Sequence, residues 1–130
     1  MKFFAACVTL AMCALATAYT ASYDTVYDNG QASVSTLACS GILESEGYTT
    51  YSSLPGFPNI GGSPQITGYD SPYCGTCWIL TYGSTSIVVT TVDVGDPALE
   101  GYNLSLEAMN TLTGGQAENL GRVYVDAKPC

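Results

Sequence analysis

Cys74-Gly75-Thr76-Cys77-Trp78-Ile79-Leu80-Thr81-Tyr82 is the part of the sequence from which the rest of the fold can be worked out. Its Gly-Thr pair favours a turn, and the aromatic and β-branched run from Trp78 to Tyr82 favours a buried strand. Two cysteines three positions apart rarely bond to each other in such a turn. They are better placed to reach Cys39 upstream and Cys130 downstream, so we expect this turn to tie both halves of the chain to one strand.

The amino terminus has the pattern of a secretory signal peptide. Met1-Lys2 is a short positive region, Phe3 to Leu15 is almost wholly apolar, and Ala16-Thr17-Ala18 is an A-x-A cleavage site. The alternative, a transmembrane anchor, needs roughly 20 apolar residues, and this run is shorter. We therefore expect residues 1–18 to be a signal peptide, residues 19–130 to form a single mature domain, and the protein to be secreted.

Cysteine usage fits a secreted domain held by disulfides. Cleavage of the signal removes Cys7 and Cys13 and leaves an even number of cysteines, which predicts two disulfides. Three pairings are possible, and the residues alone do not choose among them. A zinc site would lack the usual second C-x-x-C and would need free thiolates in an oxidising compartment. A redox-active C-x-x-C would leave two cysteines unexplained. The remaining cysteines are Cys39, Cys74, Cys77 and Cys130.

The charge balance limits the classes of partner. The chain has three basic and eleven acidic residues, a net charge of −8, and loss of Lys2 with the signal makes it −9. Only Arg122 and Lys128 then remain basic. Such a surface repels nucleic-acid backbones and anionic lipid, so we expect neither nucleic acid nor a membrane as a partner. Uncharged polysaccharides meet no such repulsion.

Short strands dominate the predicted elements. Trp78–Tyr82 and Ser86–Val94 are the clearest, and a Gly-Ser turn joins them. A first strand is predicted from Ser22 toward Tyr27, and a last one over Gly121–Ala127. Shorter strands are expected at Gly47–Tyr51 and Gln65–Thr67. This number of short strands favours a small barrel over a βαβ sheet.

One segment has strong helical periodicity. Leu104–Leu112 is predicted to be an amphipathic helix, with Asn103 as its N-cap and Gly114-Gly115 as its stop. A second, short helix is predicted over Ser33–Ala38, ending at Cys39. The Pro- and Gly-rich segment Leu54–Gly62 is expected to be a loop.

The complete lack of histidine excludes Ser-His-Asp and Cys-His nucleophile systems. Carboxylate chemistry remains, the two-acid mechanism of glycoside hydrolysis, although an isolated acid is more often a solvated loop residue. Asp93 is the best placed of these acids for catalysis, because it lies at the end of the most hydrophobic strand, at the expected rim of a barrel.

The acidic residues do not favour a calcium site, since the spacing of Asp93, Asp96 and Glu100 matches no loop signature closely. We predict no metal and no cofactor. The full set of candidate acids is Asp24, Asp28, Asp93, Asp96 and Glu100.

Asn103 and the aromatic residues each have more than one interpretation. Asn103 can cap the predicted helix, carry a glycan as the first residue of Asn103-Leu104-Ser105, or line a polar groove beside Asp93. The ten tyrosines and one tryptophan can pack on sugar rings or build the core. For Trp78, directly after a cysteine, we expect the core.

Several motifs spread over the mature chain resemble those of the cerato-platanin family. They are Ser22-Tyr23-Asp24 with Tyr27-Asp28, Cys39-Ser40, Leu54-Pro55 with Phe57-Pro58-Asn59-Ile60-Gly61-Gly62, Ile66-Thr67-Gly68, Cys74–Trp78, and Ala108-Met109-Asn110 with Leu112-Thr113-Gly114-Gly115-Gln116-Ala117.

This resemblance implies a secreted fungal protein with a mainly β fold, a six-stranded double-ψ β-barrel with a few short helices. It implies the pairing Cys39–Cys74 and Cys77–Cys130. It also implies binding of chitin or N-acetylglucosamine oligomers in a shallow groove, and expansin-like loosening of cell-wall polysaccharide without hydrolysis. The further implications are self-assembly at surfaces and elicitation of plant defence, with a plant receptor as partner.

A fainter likeness to expansins and double-ψ endoglucanases bears on catalysis. The Thr-x-Asp strand end of those proteins corresponds here to Thr91-Val92-Asp93, so the acid of that motif is present as Asp93. Their His-Phe-Asp-Leu-Ser segment corresponds to residues 101–105. Asn103 stands in place of its acid, and an amide cannot donate a catalytic proton. We therefore expect a non-catalytic, ligand-binding rim formed by Asp93, Asn103, Tyr23 and Asp24. The alternatives are a weak glycosidase that uses Asp24 or Asp93, and a surface-active structural protein.

Overall fold

The computed structural model describes residues 18–130. The expected signal peptide, residues 1–18, therefore lies outside the described residues except for Ala18, as do Cys7 and Cys13. Six strands close into a barrel in the order β1-β5-β2-β4-β3-β6. They are β1 (Tyr19–Tyr23), β2 (Ile60–Ser63), β3 (Cys77–Tyr82), β4 (Thr85–Val94), β5 (Gly101–Leu104) and β6 (Val123–Pro129).

The barrel mixes parallel and antiparallel pairs. β1 runs parallel to β5 and β2 runs parallel to β4, while the other four neighbouring pairs are antiparallel. The hairpin predicted from the Gly-Ser turn is confirmed as β3 and β4, and the last strand is confirmed two residues further along than expected. The predicted small barrel of six strands is likewise confirmed.

Among residues 18–130, three α-helices and four short 3₁₀ turns connect the strands. The helices are α1 (Ser40–Ser45), α2 (Leu106–Thr113) and α3 (Ala117–Leu120). The 3₁₀ turns cover Thr25–Asp28, Val34–Thr36, Tyr51–Ser53 and Pro97–Leu99. No helix in residues 18–130 has both the length and the apolar character to cross a bilayer.

Apolar side chains form two separate cores. The first fills the barrel, where Leu80, Val89 and Tyr102 pack with Met109 and Leu112 of α2. Trp78 packs against this cluster, as expected. The second core lies between the strands and the long segment that connects β1 to β2. It includes Tyr27, Val34, Leu37, Cys39, Leu43, Tyr51, Leu54, Ile60, Ile66 and Val92.

The predicted start of the main helix is wrong. Leu104 belongs to β5, where it pairs with Tyr23 and Gly61, and α2 begins only at Leu106. Ser105 is the N-cap and accepts a hydrogen bond from the amide of Ala108. Leu104 fits the helical spacing of apolar residues because it is buried, like the apolar residues of α2. Strand pairing nevertheless keeps its backbone extended. The predicted stop at Gly114 is confirmed, since this residue has a left-handed φ of 66°.

Two predictions near the amino terminus are also corrected. The first strand ends at Tyr23, because the side chain of Asp24 accepts a hydrogen bond from the amide of Val26 and starts a 3₁₀ turn. The segment Ser33–Ala38 forms only the 3₁₀ turn Val34–Thr36, and α1 lies after Cys39 rather than before it.

The double glycine at the end of the predicted loop lies in a strand. β2 contains Gly61 and Gly62, whereas the predicted strand Gln65–Thr67 is absent. A Cβ on Gly61 would lie 2.8 Å from the Cα of Leu104, and a Cβ on Gly62 would lie 2.8 Å from the carbonyl carbon of Val94. Only glycine fits because the neighbouring backbones approach this closely. Gly47–Tyr51 forms no strand either, although Thr50 makes an isolated bridge.

Both disulfides form with the pairing that the family resemblance implies. Cys39 bonds to Cys74 and Cys77 bonds to Cys130, across 35 and 53 residues of sequence respectively. The first bridge lies in the second core, where Cys39 is fully buried, whereas Cys130 is exposed at the end of β6. The turn between Cys74 and Cys77 therefore connects the long β1–β2 segment to the carboxyl terminus.

This difference in burial predicts unequal stabilisation by the two bridges. On the chain-entropy model each contributes about 4 kcal/mol, because the loop lengths are similar. Replacing Cys39 and Cys74 by Ala should cost about 1 kcal/mol more than replacing Cys77 and Cys130 by Ala, since only the first pair leaves a void in a core. Urea unfolding of the two double variants checks this. An equal or smaller loss for the Cys39–Cys74 pair would contradict the expected order.

Candidate functional site

Four polar or small residues lie in one row across four neighbouring strands. Ser22 of β1 is paired with Asn103 of β5, Asn103 with Gly62 of β2, and Gly62 with Asp93 of β4. We call Ser22, Asn103, Gly62 and Asp93 the polar row. Adjacent strands are about 4.8 Å apart, so the backbones of Asn103 and Asp93 are roughly 10 Å from each other. The fold thus brings together the two residues that sequence comparison favoured most.

Strand alternation places Asn103 on the outer face of the barrel. Its neighbours Tyr102 and Leu104 are fully buried in the barrel core, whereas Asn103 is half-buried. The hydroxyl of Ser22 donates a hydrogen bond of 3.1 Å to Asn103 Oδ1. Because Oδ1 accepts from Ser22, the Nδ2 group is the end of the amide that remains available to donate.

Backbone rather than a side chain separates Asn103 from Asp93. Gly62 is buried, and the Val94–Gly95 backbone fills the space where its Cβ would lie. The register also shifts between Gly61 and Gly62, a local irregularity of the β2–β4 pair. The floor of the row is therefore backbone, flanked by one amide and one carboxylate.

Asp93 is held by two donors from the long β1–β2 segment. The hydroxyl of Tyr27 donates to Asp93 Oδ2 at 2.7 Å, and the backbone amide of Ala38 donates to Oδ1 at 2.9 Å. The next residue along, Cys39, donates its amide to the carbonyl of Val92. One carboxylate thus fixes the second core against the end of β4.

The turn after β1 runs along one side of the polar row. The amide of Asp24 bonds to the carbonyl of Leu104, beside Asn103, and Tyr27 reaches Asp93. Asp28 ends the turn, and its two carboxylate oxygens accept from the amides of Leu106 and Glu107 at the start of α2. This capping contact explains Asp28 as a structural residue.

Two buried tyrosines hold their protons more tightly than usual. Burial raises the pKa of Tyr27 well above the ordinary 10.0, and the negative charge of Asp93 raises the pKa further. Burial also raises the pKa of Tyr102, whose hydroxyl donates to Gln65 at 3.1 Å. Tyr27 therefore remains a neutral donor to Asp93 over the whole physiological pH range.

The remaining predicted residues have different surroundings. Tyr23 packs against the barrel core, because it follows Ser22 and so lies on the opposite face of β1. Asp24 is exposed and caps the 3₁₀ turn beside the polar row. Asp96 forms an ion pair with Arg122 at 3.1 Å. Within residues 18–130, no group of three or more potential ligand side chains is arranged to hold a metal ion.

Sequence reasoning did not assign site roles to Ser22 and Tyr27. Both lie in the Ser22–Asp28 motif that carried the family resemblance. Strand alternation separates Ser22 from its buried neighbour Ala21, and this signal could have placed it beside Asn103. The contact of Tyr27 with Asp93 spans 66 residues, and no local pattern predicts it.

The family model that describes cerato-platanin matches residues 19–129, nearly all of the described part. The chain belongs to the cerato-platanin family. The cerato-platanin of Ceratocystis fimbriata f. sp. platani is 39% identical, over 93% of this chain and 92% of the relative. The Asp f 15 allergen homologue of Arthroderma benhamiae is 44% identical over 83% of this chain, but the match spans only 55% of that relative's length.

Solved cerato-platanin structures share the fold. Cerato-platanin 1 from M. perniciosa superimposes with a TM-score of 0.80 at 41% identity, covering 88% of this chain and 95% of the other. The solution structure of the fungal elicitor Cerato-Platanin gives a TM-score of 0.73 at 37% identity, over 85% and 91% of the two chains. The closed barrel with short helices is thus the cerato-platanin architecture.

The Tyr27–Asp93 contact predicts a loss of stability at high pH. Tyr27 ionises near pH 10 in the unfolded chain and only at higher pH in the folded one, so its contribution is complete below pH 10 and is lost as the pH rises. The variant Tyr27→Phe should unfold about 1–2 kcal/mol more easily at neutral pH, because Asp93 loses a donor. Its free energy of unfolding should also fall less above pH 10 than that of the wild type, because only Tyr102 then adds to the alkaline loss of stability.

Urea unfolding between pH 7 and 11 measures both effects. Tyr124→Phe is the matched control, since Tyr124 is 75% exposed on β6 and should change neither quantity. A Tyr27→Phe variant with wild-type stability and an unchanged alkaline decline would show that the hydroxyl does not hold Asp93.

Proposed function

We propose that this protein is a secreted, non-hydrolytic carbohydrate-binding protein that takes uncharged N-acetylglucosamine oligomers or chitin along the polar row. The observation that carries the proposal is that Asn103 and Asp93 both pair with Gly62, from the two strands on either side of it. An amide and a carboxylate two strands apart, with no deep cavity between them among the described residues, suit an extended polymer bound at the surface. Both groups are half-buried, so their hydrogen bonds are partly shielded from water.

The chemistry of the two groups matches the ligand. The Nδ2 hydrogens of Asn103 can donate to the carbonyl of an N-acetyl group, and Asp93 oxygens have further lone pairs for sugar hydroxyls. Residues 18–130 carry eleven acidic and two basic side chains, a net charge of −9. This charge disfavours anionic polysaccharides and leaves neutral ones unaffected.

The same residues support binding rather than cleavage. Two-carboxylate hydrolysis requires a protonated acid opposite a second carboxylate. Asn103 occupies the position in the polar row where a second acid would be needed, and an amide cannot supply that proton. Both oxygens of Asp93 already accept hydrogen bonds from Tyr27 and Ala38, which suits a fixed acceptor.

Other roles follow from the family rather than from the polar row. Two disulfides suit an oxidising, extracellular setting, so we propose secretion to the medium or cell wall. Expansin-like loosening of polysaccharide would follow from binding along a polymer without cutting it. Elicitation of plant defence through a receptor, and self-assembly at surfaces, are proposed from membership of a family that includes a protein described as a fungal elicitor.

Titration with N-acetylglucosamine oligomers, followed by backbone amide shifts, tests the binding proposal. We expect shifts at Ser22, Asn103 and Asp93. The variant Asn103→Ala should weaken binding about 5- to 10-fold, the equivalent of roughly one hydrogen bond. Asn119→Ala is the matched control, because Asn119 is an exposed asparagine on α3 and should leave the affinity unchanged. Affinity should vary little with salt, since the ligand is neutral.

Two results would contradict this function. The first is the absence of shifts in the polar row at millimolar oligomer. The second is sustained release of reducing sugar from chitin or β-glucan that disappears in Asp93→Asn or Asp24→Asn, which would make the protein a glycosidase.

A further inference from the structure

The polar row continues beyond Asp93 through a backbone contact to another loop. Ala38 donates its amide to Asp93 and accepts, through its carbonyl, a 2.8 Å hydrogen bond from the amide of Asp70. Residues 67–73, which we call the tyrosine loop, therefore lie next to the Asp93 end of the polar row. Tyr69 precedes Asp70 and Tyr73 follows it in this loop.

Tyr69 presents an aromatic ring to solvent from a fixed position. Its side chain is 71% exposed, although tyrosine is large and largely apolar. A Cβ built on Gly41 would lie 2.5 Å from the Tyr69 hydroxyl, so the end of the ring lies over Gly41 in α1. The ring is thus supported at its tip and attached to an anchored backbone at its base.

The backbone of the tyrosine loop is held by several separate contacts. Asp70 has a left-handed φ of 50°, and its Oδ1 accepts from the amide of Ile42 at 3.0 Å. Ser71 is buried and accepts from the amide of Tyr73. The disulfide from Cys74 to Cys39 lies directly after the loop. Binding at such a loop requires little ordering of the chain, which reduces the entropic cost of association.

We infer that Tyr69 is a stacking platform for a sugar unit of the same neutral glycan, one position beyond the part held by Asn103 and Asp93. This inference rests on the proposed function, since it extends that site by one aromatic subsite. The apolar C–H face of a pyranose packs on an aromatic face, whereas the polar row supplies hydrogen bonds to its edges. The combination of a few polar groups with an aromatic wall is common in ligand sites.

An uncharged glycan fits this position better than other partners. The Asp70 carboxylate and the Tyr69 hydroxyl both lie against Gly41, and the described chain has a net charge of −9, which repels anionic polymers. A purely structural role explains the ring less well, because a side chain that is 71% exposed buries little apolar surface. The contacts that anchor the loop come from Asp70 and Ser71 rather than from the Tyr69 ring.

Binding of short and long N-acetylglucosamine oligomers to Tyr69→Ala and Tyr69→Phe tests the inference. Tyr69→Ala should bind the long oligomer about 3- to 10-fold more weakly and bind the disaccharide as the wild type does, since only a longer chain reaches the ring. Tyr69→Phe should keep the wild-type affinity for both, because the ring is retained. All variants should keep the wild-type melting temperature.

Val88→Ala controls for loss of an exposed apolar side chain on β4. Val88 is 53% exposed and lies five residues before Asp93, about 17 Å away along the strand, so neither affinity should change. Isothermal titration calorimetry gives the affinities, and amide shifts in residues 67–73 that appear only with the long oligomer would localise the contact.

The outcomes separate this inference from the function on which it rests. If Tyr69→Ala binds the long oligomer as tightly as the wild type while Asn103→Ala weakens both ligands, the aromatic subsite is refuted and the binding function stands. A loss of disaccharide affinity in Tyr69→Ala would also refute a separate subsite. If the wild type binds neither oligomer, the proposed function fails and the inference fails with it.

Discussion

The carboxylate of Asp93 is the contact on which the arrangement of the site depends. It joins β4 to the long segment between β1 and β2 through Tyr27 and Ala38, two donors that are distant in sequence. Because burial and the charge of Asp93 raise the pKa of Tyr27, the hydroxyl stays protonated and the contact persists at neutral and mildly alkaline pH. The same carboxylate borders the polar row, so the residue that stabilises the second core also shapes the candidate binding surface.

Much of the barrel follows from local patterns. The β3–β4 hairpin was predictable because its residues are β-branched and its turn contains glycine, and cysteine spacing predicted two long-range bridges. β2 was missed because its double glycine favours a loop, whereas the reason for glycine is the close approach of two neighbouring backbones. The start of α2 was misplaced because Leu104 satisfies both the helical spacing and a buried strand position, and only pairing with Tyr23 and Gly61 decides between them.

The site was predictable only in part. Comparison of motifs selected Asp93 and Asn103, and the register places both beside Gly62. Tyr23 was grouped with them because it lies in a motif that resembles the family and was expected at the same rim, but the two-residue period of a strand turns it toward the core. The contacts of Ser22 with Asn103 and of Tyr27 with Asp93 depend on which strands become neighbours, and a single sequence does not contain that information in local form.

The glycines of β2 limit how this surface can diversify. Backbone atoms fill the space where a side chain at position 61 or 62 would go. A substitution therefore cannot add a side chain in the middle of the polar row without distorting the barrel. Changes in ligand preference are therefore expected at the borders of the polar row, in the turn after β1 or in the tyrosine loop. A fixed centre with variable borders is the pattern that this geometry favours.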